Sequence, residues 1–278
     1  MAQFKLDGVA IIVGAAGGIG REVAFTFAEA GVKGMLLADI EADAAVQIAE
    51  QSKSLASNPE HTCLSTRVDV VDVASVDEMV NLAVETFGRV DYCVSALGVD
   101  VAEYVPFHET TPEDYDRVLG INTKGPFLVT RAVGRAMLAQ EPAQVNLGRL
   151  GIRDVGRGSI VTVSSAMALV AAPAKAPYTT SKHAVTGVAR AAAMDFKSAG
   201  IRVNQVNPTW VRTHMYEEEC RRIPRLPEVV EKISPIKRPI EPDEVASACL
   251  YLCSPGALAV NGLTLTMDTG LLVGPVIG

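Results

Sequence analysis

The chain alternates between short apolar runs and longer segments of helical periodicity. The short runs are rich in apolar and β-branched residues, which is typical of strands buried on both faces of a parallel sheet. The predicted strands are Val9–Val13, Met35–Ala38, Leu64–Val70, Val90–Ser95, Ser159–Val163, Ile201–Val206 and Leu263–Met267.

Helical spacing of apolar positions fills most of the chain between these runs. Thr111 followed by Pro112 is typical of a helix start, because Thr caps free N–H groups and Pro fits the first turn. Ser75 and Glu78 have the spacing of a capping box. The predicted helices are Arg21–Ala30, Ala42–Ser54, Ser75–Phe87, Thr111–Ala139, Tyr178–Ala199 and Asp243–Leu252.

Strands that alternate with helices in this way form a parallel sheet joined by right-handed crossovers. No shift in composition marks a domain boundary along the chain. We therefore expect an α/β fold in which residues 1–278 form a single doubly wound (Rossmann) domain, with about seven strands and helices on both faces.

Two segments interrupt the alternation. Residues 140–158 are polar and glycine-rich, so we expect an exposed loop. This surface insertion precedes the fifth strand, which places it at the edge opposite a ligand site and makes it a surface feature or an oligomer contact. His214–Lys237 is charged and interrupted by prolines, which indicates a mobile excursion. Residues 209–238 are the predicted substrate lid.

Composition narrows the function classes. The net charge is −7, and no block of Lys and Arg stands out, so neither nucleic acid nor an anionic membrane surface is an expected partner. The apolar N-terminal run lacks the pattern of a signal peptide, and a cytoplasmic location is expected. Five cysteines without a Cys-x-x-Cys pair, and only four histidines, favour reduced thiols and no metal site.

A glycine-rich turn links the first strand to the first helix. Its spacing is Gly14-x-x-x-Gly18-x-Gly20, and Asp39 closes the second strand. Small residues let the backbone approach a pyrophosphate at the helix N-terminus, and the acid can accept ribose hydroxyls. The carboxylate would repel a 2′-phosphate, and Ile40 supplies no compensating cation. The pattern predicts dinucleotide binding with NAD favoured over NADP.

Tyr178 and Lys182 lie four residues apart in a predicted helix, so their side chains share one face. A phenol titrates near ~10, and a nearby ammonium lowers that pKa, which would give a proton donor and acceptor near neutral pH. Alone, such a pair occurs on many solvated helices. Here the helix comes after Ser165, just beyond the predicted strand Ser159–Val163, so the pair can fold back onto the edge of the sheet where parallel strands end and ligands bind.

Several motifs in this order resemble the short-chain dehydrogenase/reductase family over nearly the whole chain. Ser165 lies 13 residues before Tyr178 (178 − 165), a spacing usual in that family. The motifs that carry the resemblance are Gly14-x-x-x-Gly18-x-Gly20, Asp39, Asp69, Asn122, Ser165, Tyr178-x-x-x-Lys182 and Asn207-Pro208.

The resemblance implies a catalytic tetrad. Tyr178 would exchange a proton with the substrate oxygen, and Ser165 would hydrogen-bond that oxygen. Lys182 would lower the pKa of Tyr178 and bind the nicotinamide ribose. Asn122 would hold a water through its carbonyl, which Pro126 frees by removing a backbone donor one turn later.

The resemblance also implies cofactor contacts. Asp69 and Val70 would contact the adenine, and Thr213 the carboxamide. The full set is Gly14, Gly18, Ile19, Gly20, Asp39, Ile40, Asp69, Val70, Ala96, Gly98, Tyr178, Lys182, Pro208, Val211 and Thr213.

Three positions depart from the family pattern. Val13 stands where Thr is usual, Thr209 stands where Gly is usual, and Ser95–Gly98 replaces an Asn-rich loop. We expect Val13 and Ser95–Gly98 to touch across adjacent strands. Leu97 would intrude near the nicotinamide and alter cofactor affinity or pocket shape.

Apolar residues predict the substrate pocket. Leu97, Met167, Trp210 and Met215 suggest a largely apolar small molecule, unless they merely pack the lid. The leading hypothesis is an NAD(H)-dependent oxidoreductase that interconverts a secondary alcohol and a ketone. An isomerase or rearrangement enzyme with the same tetrad, and a non-catalytic NAD(H)-binding sensor or scaffold, remain alternatives. In the family that the chain resembles, the helices around 122–138 and 178–199 pair across subunits, which implies a homodimer or homotetramer.

Overall fold

A computed structural model describes residues 4–274, and the other positions of the predicted 1–278 domain lie outside the described residues. Seven strands form one sheet in the order β3-β2-β1-β4-β7-β8-β9, and every neighbouring pair is parallel. These strands are β1 (Val9–Val13), β2 (Gly34–Asp39), β3 (Thr62–Arg67), β4 (Tyr92–Ser95), β7 (Gly158–Val163), β8 (Ile201–Pro208) and β9 (Thr264–Met267).

Helices cover both faces of the sheet, which confirms the predicted doubly wound parallel architecture. One apolar core includes Phe27 and Leu252, and the core on the other face includes Met79 and Met137. The helices are α1 (Gly18–Ala30), α2 (Ala42–Leu55), α3 (Val73–Phe87), α4 (Pro112–Leu119), α5 (Gly125–Ala139), α6 (Ala176–Phe196), α7 (His214–Arg222), α8 (Leu226–Ile233) and α9 (Pro242–Cys253).

The structure differs from two predictions, one at the start of α3 and one at the end of β3. Asp72, rather than Ser75, caps α3, because its carboxylate accepts from the N–H of Ala74 at 3.1 Å. The Ser75 hydroxyl instead accepts from the N–H of Asp69 at 2.9 Å. This contact holds the chain after β3, which ends at Arg67 rather than at Val70 as predicted.

The predicted helix Thr111–Ala139 is interrupted by a π-helical turn over Gly120–Lys124. The N–H of Gly125 donates to the carbonyl of Gly120, five residues back, so the backbone ladder widens there. Asn122, the fourth member of the implied tetrad, lies in this turn and is buried.

The polar segment 140–158 contains a β-hairpin, so the prediction of a loop is wrong. Strands β5 (Ala143–Asn146) and β6 (Ile152–Gly156) pair antiparallel. Gly148 and Gly151 have φ values of 64° and 75° in the connection, a conformation that glycine adopts without steric cost.

The segment His214–Lys237 forms two helices, α7 and α8, which the sequence pattern did not predict. Pro224 falls between these helices, and Pro227 lies in the first turn of α8, where proline is tolerated. Tyr216, Leu226 and Val230 are buried together as a small apolar cluster. Charge at the surface of both helices concealed this amphipathic packing from the sequence pattern.

Gln140 joins the hairpin to the edge of the sheet where strands begin. Its amide oxygen accepts from the N–H of Val90 at 3.1 Å, and its amide nitrogen donates to the carbonyls of Val90 and Arg157. These backbone groups precede β4 and β7. The segment therefore lies at the edge opposite the carboxyl ends of the strands.

We predict that Gln140→Ala lowers the free energy of unfolding by about 2 kcal/mol, because partly buried backbone groups lose their partners. Urea unfolding of the variant measures this loss. The turnover number should stay at the wild-type value, since Gln140 lies at the opposite edge of the sheet. Gln144→Ala, on the exposed side of β5, is the matched control and should leave stability unchanged; equal stability of both variants would contradict the role of Gln140.

Candidate active site

Three glycines allow separate backbone segments to meet at the carboxyl end of β1. Gly14 has φ +80°, and a Cβ there would lie 2.9 Å from the carbonyl of Ala96. A Cβ at Gly18 would lie 2.9 Å from the methyl group of Thr213, and one at Gly20 would strike the Gly14 carbonyl. The turn thus touches both the loop after β4 and the 209–238 segment.

The first helix begins at this turn without a side-chain cap. No hydrogen-bonding side chain caps α1, and no acidic residue lies in its first turn. The first N–H groups of an α-helix lack partners within the helix and carry partial positive charge. The turn therefore fits a pyrophosphate, whose negative charge these groups stabilise.

Asp39 is fixed beside the glycine turn. One carboxylate oxygen accepts from the N–H of Ala16 at 2.8 Å, and the other accepts from the N–H of Glu41 at 3.0 Å. Each oxygen keeps a further lone pair that a hydroxyl could use. Ile40, next to the acid, is exposed.

Asp69 and Val70 follow β3. The Asp69 carboxylate accepts from the N–H of Val71 at 3.1 Å and bends the chain. Val70 lies against the start of α5, where a Cβ on Gly125 would lie 3.0 Å from the valine side chain. Both residues are half-buried at the same edge as Asp39.

Ser165 and Tyr178 come from neighbouring elements on one side of the cleft. Ser165 follows β7, and its hydroxyl accepts from the N–H of Met167 at 3.1 Å. Tyr178 lies in the first turn of α6, and Lys182 follows one turn later with its ammonium 5.3 Å from the phenol ring centroid. The structure thus brings together three of the four predicted tetrad side chains around one ring.

Asn122 connects the loop after β4 to α6. Its amide group exchanges two hydrogen bonds with the backbone of Val99, at 2.8 and 2.9 Å, and donates to the hydroxyl of Ser181 at 3.1 Å. Its side chain therefore fixes the position of the neighbouring Gly98. The family resemblance points to the carbonyl of Asn122 and does not indicate this clamp.

Burial shifts the pKa values of the Tyr178–Lys182 pair. Burial raises the pKa of the Tyr178 phenol, a hydrogen bond with Ser165 partly offsets this, and the Asp100 and Glu219 carboxylates raise it further. Burial lowers the pKa of Lys182 to about 8, with a small opposing effect of Asp100. The net direction of the Tyr178 shift in the folded chain is therefore upward, and burial is its largest cause.

A cavity of about 180 Å³ opens beside Tyr178. Its walls come from the loop after β4, the chain after β7, the start of α6 and the 209–238 segment. The predicted site residues that line it are Ile19, Ala96, Leu97, Gly98, Ser165, Met167, Tyr178, Lys182, Pro208, Trp210, Val211, Thr213 and Met215. The glycines of the turn, Asp39, Ile40, Asp69, Val70 and Asn122 lie outside its walls.

Val13 and Ser95, which both depart from the family pattern, are in contact across adjacent strands as predicted. The two residues are partners in β1 and β4, and the N–H of Ala96 donates to the carbonyl of Val13 at 2.8 Å. The Ser95 hydroxyl is buried without a hydrogen-bond partner among the described residues. The backbone of this loop is thus held in place by its hydrogen bond to Val13.

Sequence analysis missed a charged cluster in the cavity wall. The ammonium of Lys175 lies 2.9 Å from the Asp100 carboxylate and 2.7 Å from the Glu219 carboxylate. Lys175 precedes Tyr178 by three residues, and this helical spacing was the one available signal. Asp100 and Glu219 come from distant parts of the chain, so only the fold brings them together.

The part of the chain that the structure describes contains no cluster of three or more His, Cys, Asp or Glu side chains that could hold a metal ion. Among residues 4–274, no helix combines the length and apolar character that a membrane span requires.

Comparisons with known proteins agree with this geometry. Residues 14–272 match the family model described as Enoyl-(Acyl carrier protein) reductase. A short-chain dehydrogenase of Penicillium roqueforti is 37% identical over 266 residues, covering 96% of each chain. The structure of 7α-hydroxysteroid dehydrogenase with NADH and 7-oxo glycochenodeoxycholic acid is similar with a TM-score of 0.82 and 28% identity, over 97% of this chain and 96% of the other.

A second solved structure is a variant of actinorhodin polyketide ketoreductase with NADPH. It has a TM-score of 0.83 and 26% identity, over 95% of this chain and 97% of the other. Proteins of this shape therefore bind either NADH or NADPH.

We predict that Lys182→Met raises the free energy of unfolding at pH 7 by about 3 kcal/mol, because the wild type buries an ammonium whose pKa is lowered from 10.5 to about 8. The unfolded lysine keeps its proton to higher pH, so wild-type stability rises between pH 8 and 10.5. The excess stability of the variant over the wild type should be greatest below pH 8 and should vanish by pH 10.5. Denaturant unfolding across this pH range measures the difference in stability between the variant and the wild type. The exposed Lys197→Met is the control and should show no such pH dependence. A Lys182→Met variant that is less stable than the wild type at pH 7 would contradict the prediction.

Proposed function

Because the chain belongs to the short-chain dehydrogenase/reductase family, we propose that it is an NAD(H)-dependent oxidoreductase that interconverts a secondary alcohol and a ketone on a largely apolar small molecule. The observation that carries this proposal is the shared cavity wall. Ser165, Tyr178 and Lys182 line the same cavity as Ile19, which follows the glycine turn.

The residues at the edge of the sheet fit a dinucleotide. The glycine turn has room for a pyrophosphate at the start of α1, and the Asp39 carboxylate has acceptor capacity for the adenosine ribose. Asp69 and Val70 would flank the adenine, while Thr213 adjoins Gly18 at the cavity. The carboxylate of Asp39 disfavours a 2′-phosphate, so NAD is the proposed cofactor.

Tyr178 would act as the general acid or base that transfers a proton to or from the substrate oxygen. When bound, the nicotinamide supplies the hydride acceptor or donor. In the oxidation of an alcohol the phenolate of Tyr178 takes the hydroxyl proton, and in the reduction of a ketone the phenol returns a proton to the carbonyl oxygen. The Ser165 hydroxyl would donate to the same oxygen and stabilise its developing charge.

Lys182 and Asn122 would connect Tyr178 to solvent. The pKa of Lys182, about 8, suits a group that passes protons near neutral pH. Its ammonium would also bind the nicotinamide ribose. Asn122 fixes the adjacent loop through Val99, and its carbonyl would hold a water on the path from Lys182.

The cavity wall also suggests how substrates are selected. Apolar surface in the same cavity as the Tyr178 phenol comes from Leu97, Met167, Trp210 and Met215. The 209–238 segment contributes to this wall as the proposed lid.

Exposed apolar side chains on two helices support assembly into a homodimer or homotetramer. Phe127 and Leu138 of α5 are each 47% exposed, and Met194 of α6 is 62% exposed. Burial of these side chains against a second copy would remove apolar surface from water.

We predict that Tyr178→Phe lowers kcat by roughly 10²- to 10⁴-fold, the range for loss of a general acid or base. The dissociation constant for NADH should stay within about twofold, because the ring remains. Steady-state kinetics and NADH fluorescence titration measure the two effects, and Tyr115→Phe at the surface is the control. Wild-type protein that binds NADH but turns over no alcohol or ketone in a broad panel would instead favour a sensor.

We predict that Asp39→Ala raises the ratio of kcat/KM with NADP to that with NAD by at least about tenfold, because the repulsion of a 2′-phosphate is removed. Any general loss of activity from the broken hydrogen bond to Ala16 affects both cofactors equally and leaves this ratio unchanged. Asp43→Ala removes an equal charge from the exposed start of α2 and should leave the ratio unchanged. Tighter binding of NADPH than NADH by the wild type would contradict the assignment.

A further inference from the structure

Three charged side chains meet in the cavity wall beside Tyr178. Lys175, immediately before α6, lies between Asp100, after β4, and Glu219, on α7. Each side chain is 13–14% exposed, and all three residues line the cavity. We call this set the Lys175 cluster. Charges so far removed from water require close partners or a ligand, since burial of an ion is costly.

The polar atoms of the Lys175 cluster are incompletely paired. Two hydrogen bonds of the Lys175 ammonium are accounted for, by Asp100 and Glu219, and an ammonium has three donors. One Asp100 oxygen accepts from Val101, and the other accepts from Lys175 and from the Tyr104 hydroxyl. Among the described residues, the second Glu219 oxygen has no hydrogen-bond partner. The ammonium also lies 5.0 Å from the centroid of the Tyr104 ring. One of its donors and one carboxylate oxygen therefore have no hydrogen-bond partner among the described residues.

A hydroxyl group matches this pair of atoms. It both donates and accepts a hydrogen bond, so it could satisfy the third ammonium donor and the remaining carboxylate oxygen. A carboxylate or phosphate could satisfy only the donor, and the two acids would oppose its charge. The mixed cluster therefore favours a neutral hydroxyl over an anion.

The Lys175 cluster lies close to the reacting group. The Lys175 ammonium is 5.5 Å from the ring centroid of Tyr178, and the Lys182 ammonium is 5.3 Å from the same point. Trp210 and Met215 form apolar wall in the same cavity. A molecule whose carbonyl meets Tyr178 can thus present a second polar group to Lys175 across a short apolar body.

We propose that Lys175, held by Asp100 and Glu219, binds a second hydroxyl group of the substrate and makes the enzyme select hydroxylated ketones and alcohols over matched molecules without that hydroxyl. This proposal rests on the proposed oxidoreductase function. Two carboxylates fix the ammonium before substrate arrives, so little side-chain entropy is lost on binding. A substrate without the hydroxyl would displace water from these polar atoms without replacing its hydrogen bonds, which weakens its binding.

Pairs of ketones that differ by one hydroxyl group test whether the enzyme prefers the hydroxylated member. The pairs are 2-butanone against 3-hydroxy-2-butanone, and cyclohexanone against its 2-, 3- and 4-hydroxy derivatives. At least one hydroxylated member should exceed its parent in kcat/KM by roughly tenfold or more, the effect of one hydrogen bond to a charged group. In Lys175→Met this ratio should fall close to one.

Lys53→Met is the control, because it removes an exposed ammonium that also bonds a carboxylate, that of Glu50. It should leave the ratio at the wild-type value. A purely structural clamp would lose activity equally toward both members of a pair when Lys175 is replaced. An unchanged ratio in Lys175→Met, or a wild-type ratio near one for every pair, overturns the proposal.

A binding measurement separates this proposal from the proposed function. The thermal shift that each ketone causes in the presence of NADH requires no turnover. If no ketone reacts but hydroxylated ones bind better and Lys175→Met removes the preference, the oxidoreductase function fails and the hydroxyl site stands. If ketones react without any preference for the hydroxylated member, the hydroxyl site fails and the oxidoreductase function stands. Should Lys175→Met unfold, Glu219→Gln keeps the shape of the cluster and must also reduce the ratio.

Discussion

Close approach of backbone segments at the carboxyl edge of the sheet is the constraint on which the site depends. Gly14 and Gly18 permit contacts with Ala96 and Thr213 that a side chain would prevent. These contacts bring β1, the loop after β4 and the 209–238 segment to one place. Since parallel strands end together at this edge, the glycine turn and the Tyr178–Lys182 pair come close to one another.

This arrangement requires the burial of charge. Lys182 is 4% exposed, and burial lowers the pKa of its ammonium while raising that of the Tyr178 phenol. Both shifts oppose ionisation. At pH 7 only the buried Lys182 ammonium lowers the stability of the fold, because the Tyr178 phenol is neutral there in both the folded and the unfolded chain. The Lys175 ammonium differs from that of Lys182, because two carboxylates form ion pairs with it. The same cavity thus combines the Lys182 ammonium, which has no ion pair among the described residues, with the Lys175 ammonium, which has two.

Much of this architecture could be predicted from the sequence, because strand periodicity and glycine spacing are local properties. Predictions failed where tertiary contacts decide. The charged 214–237 segment folds as two helices since Tyr216 and Leu226 are buried together, and the polar 140–158 segment pairs with itself as a hairpin. The phenol pKa depends on burial, which spacing does not encode. Asp100 and Glu219 are 119 residues apart (219 − 100), and no motif joins them.

A crystal structure with NADH and a ketone tests most directly whether the dinucleotide and the proton-transfer pair share one site. We expect adenosine ribose oxygens at about 3 Å from the Asp39 carboxylate, a hydrogen-bond distance. We also expect the nicotinamide in the cavity and the ketone oxygen between Tyr178 and Ser165. A dinucleotide bound away from the glycine turn, or a ketone oxygen out of reach of Tyr178, would contradict the shared site.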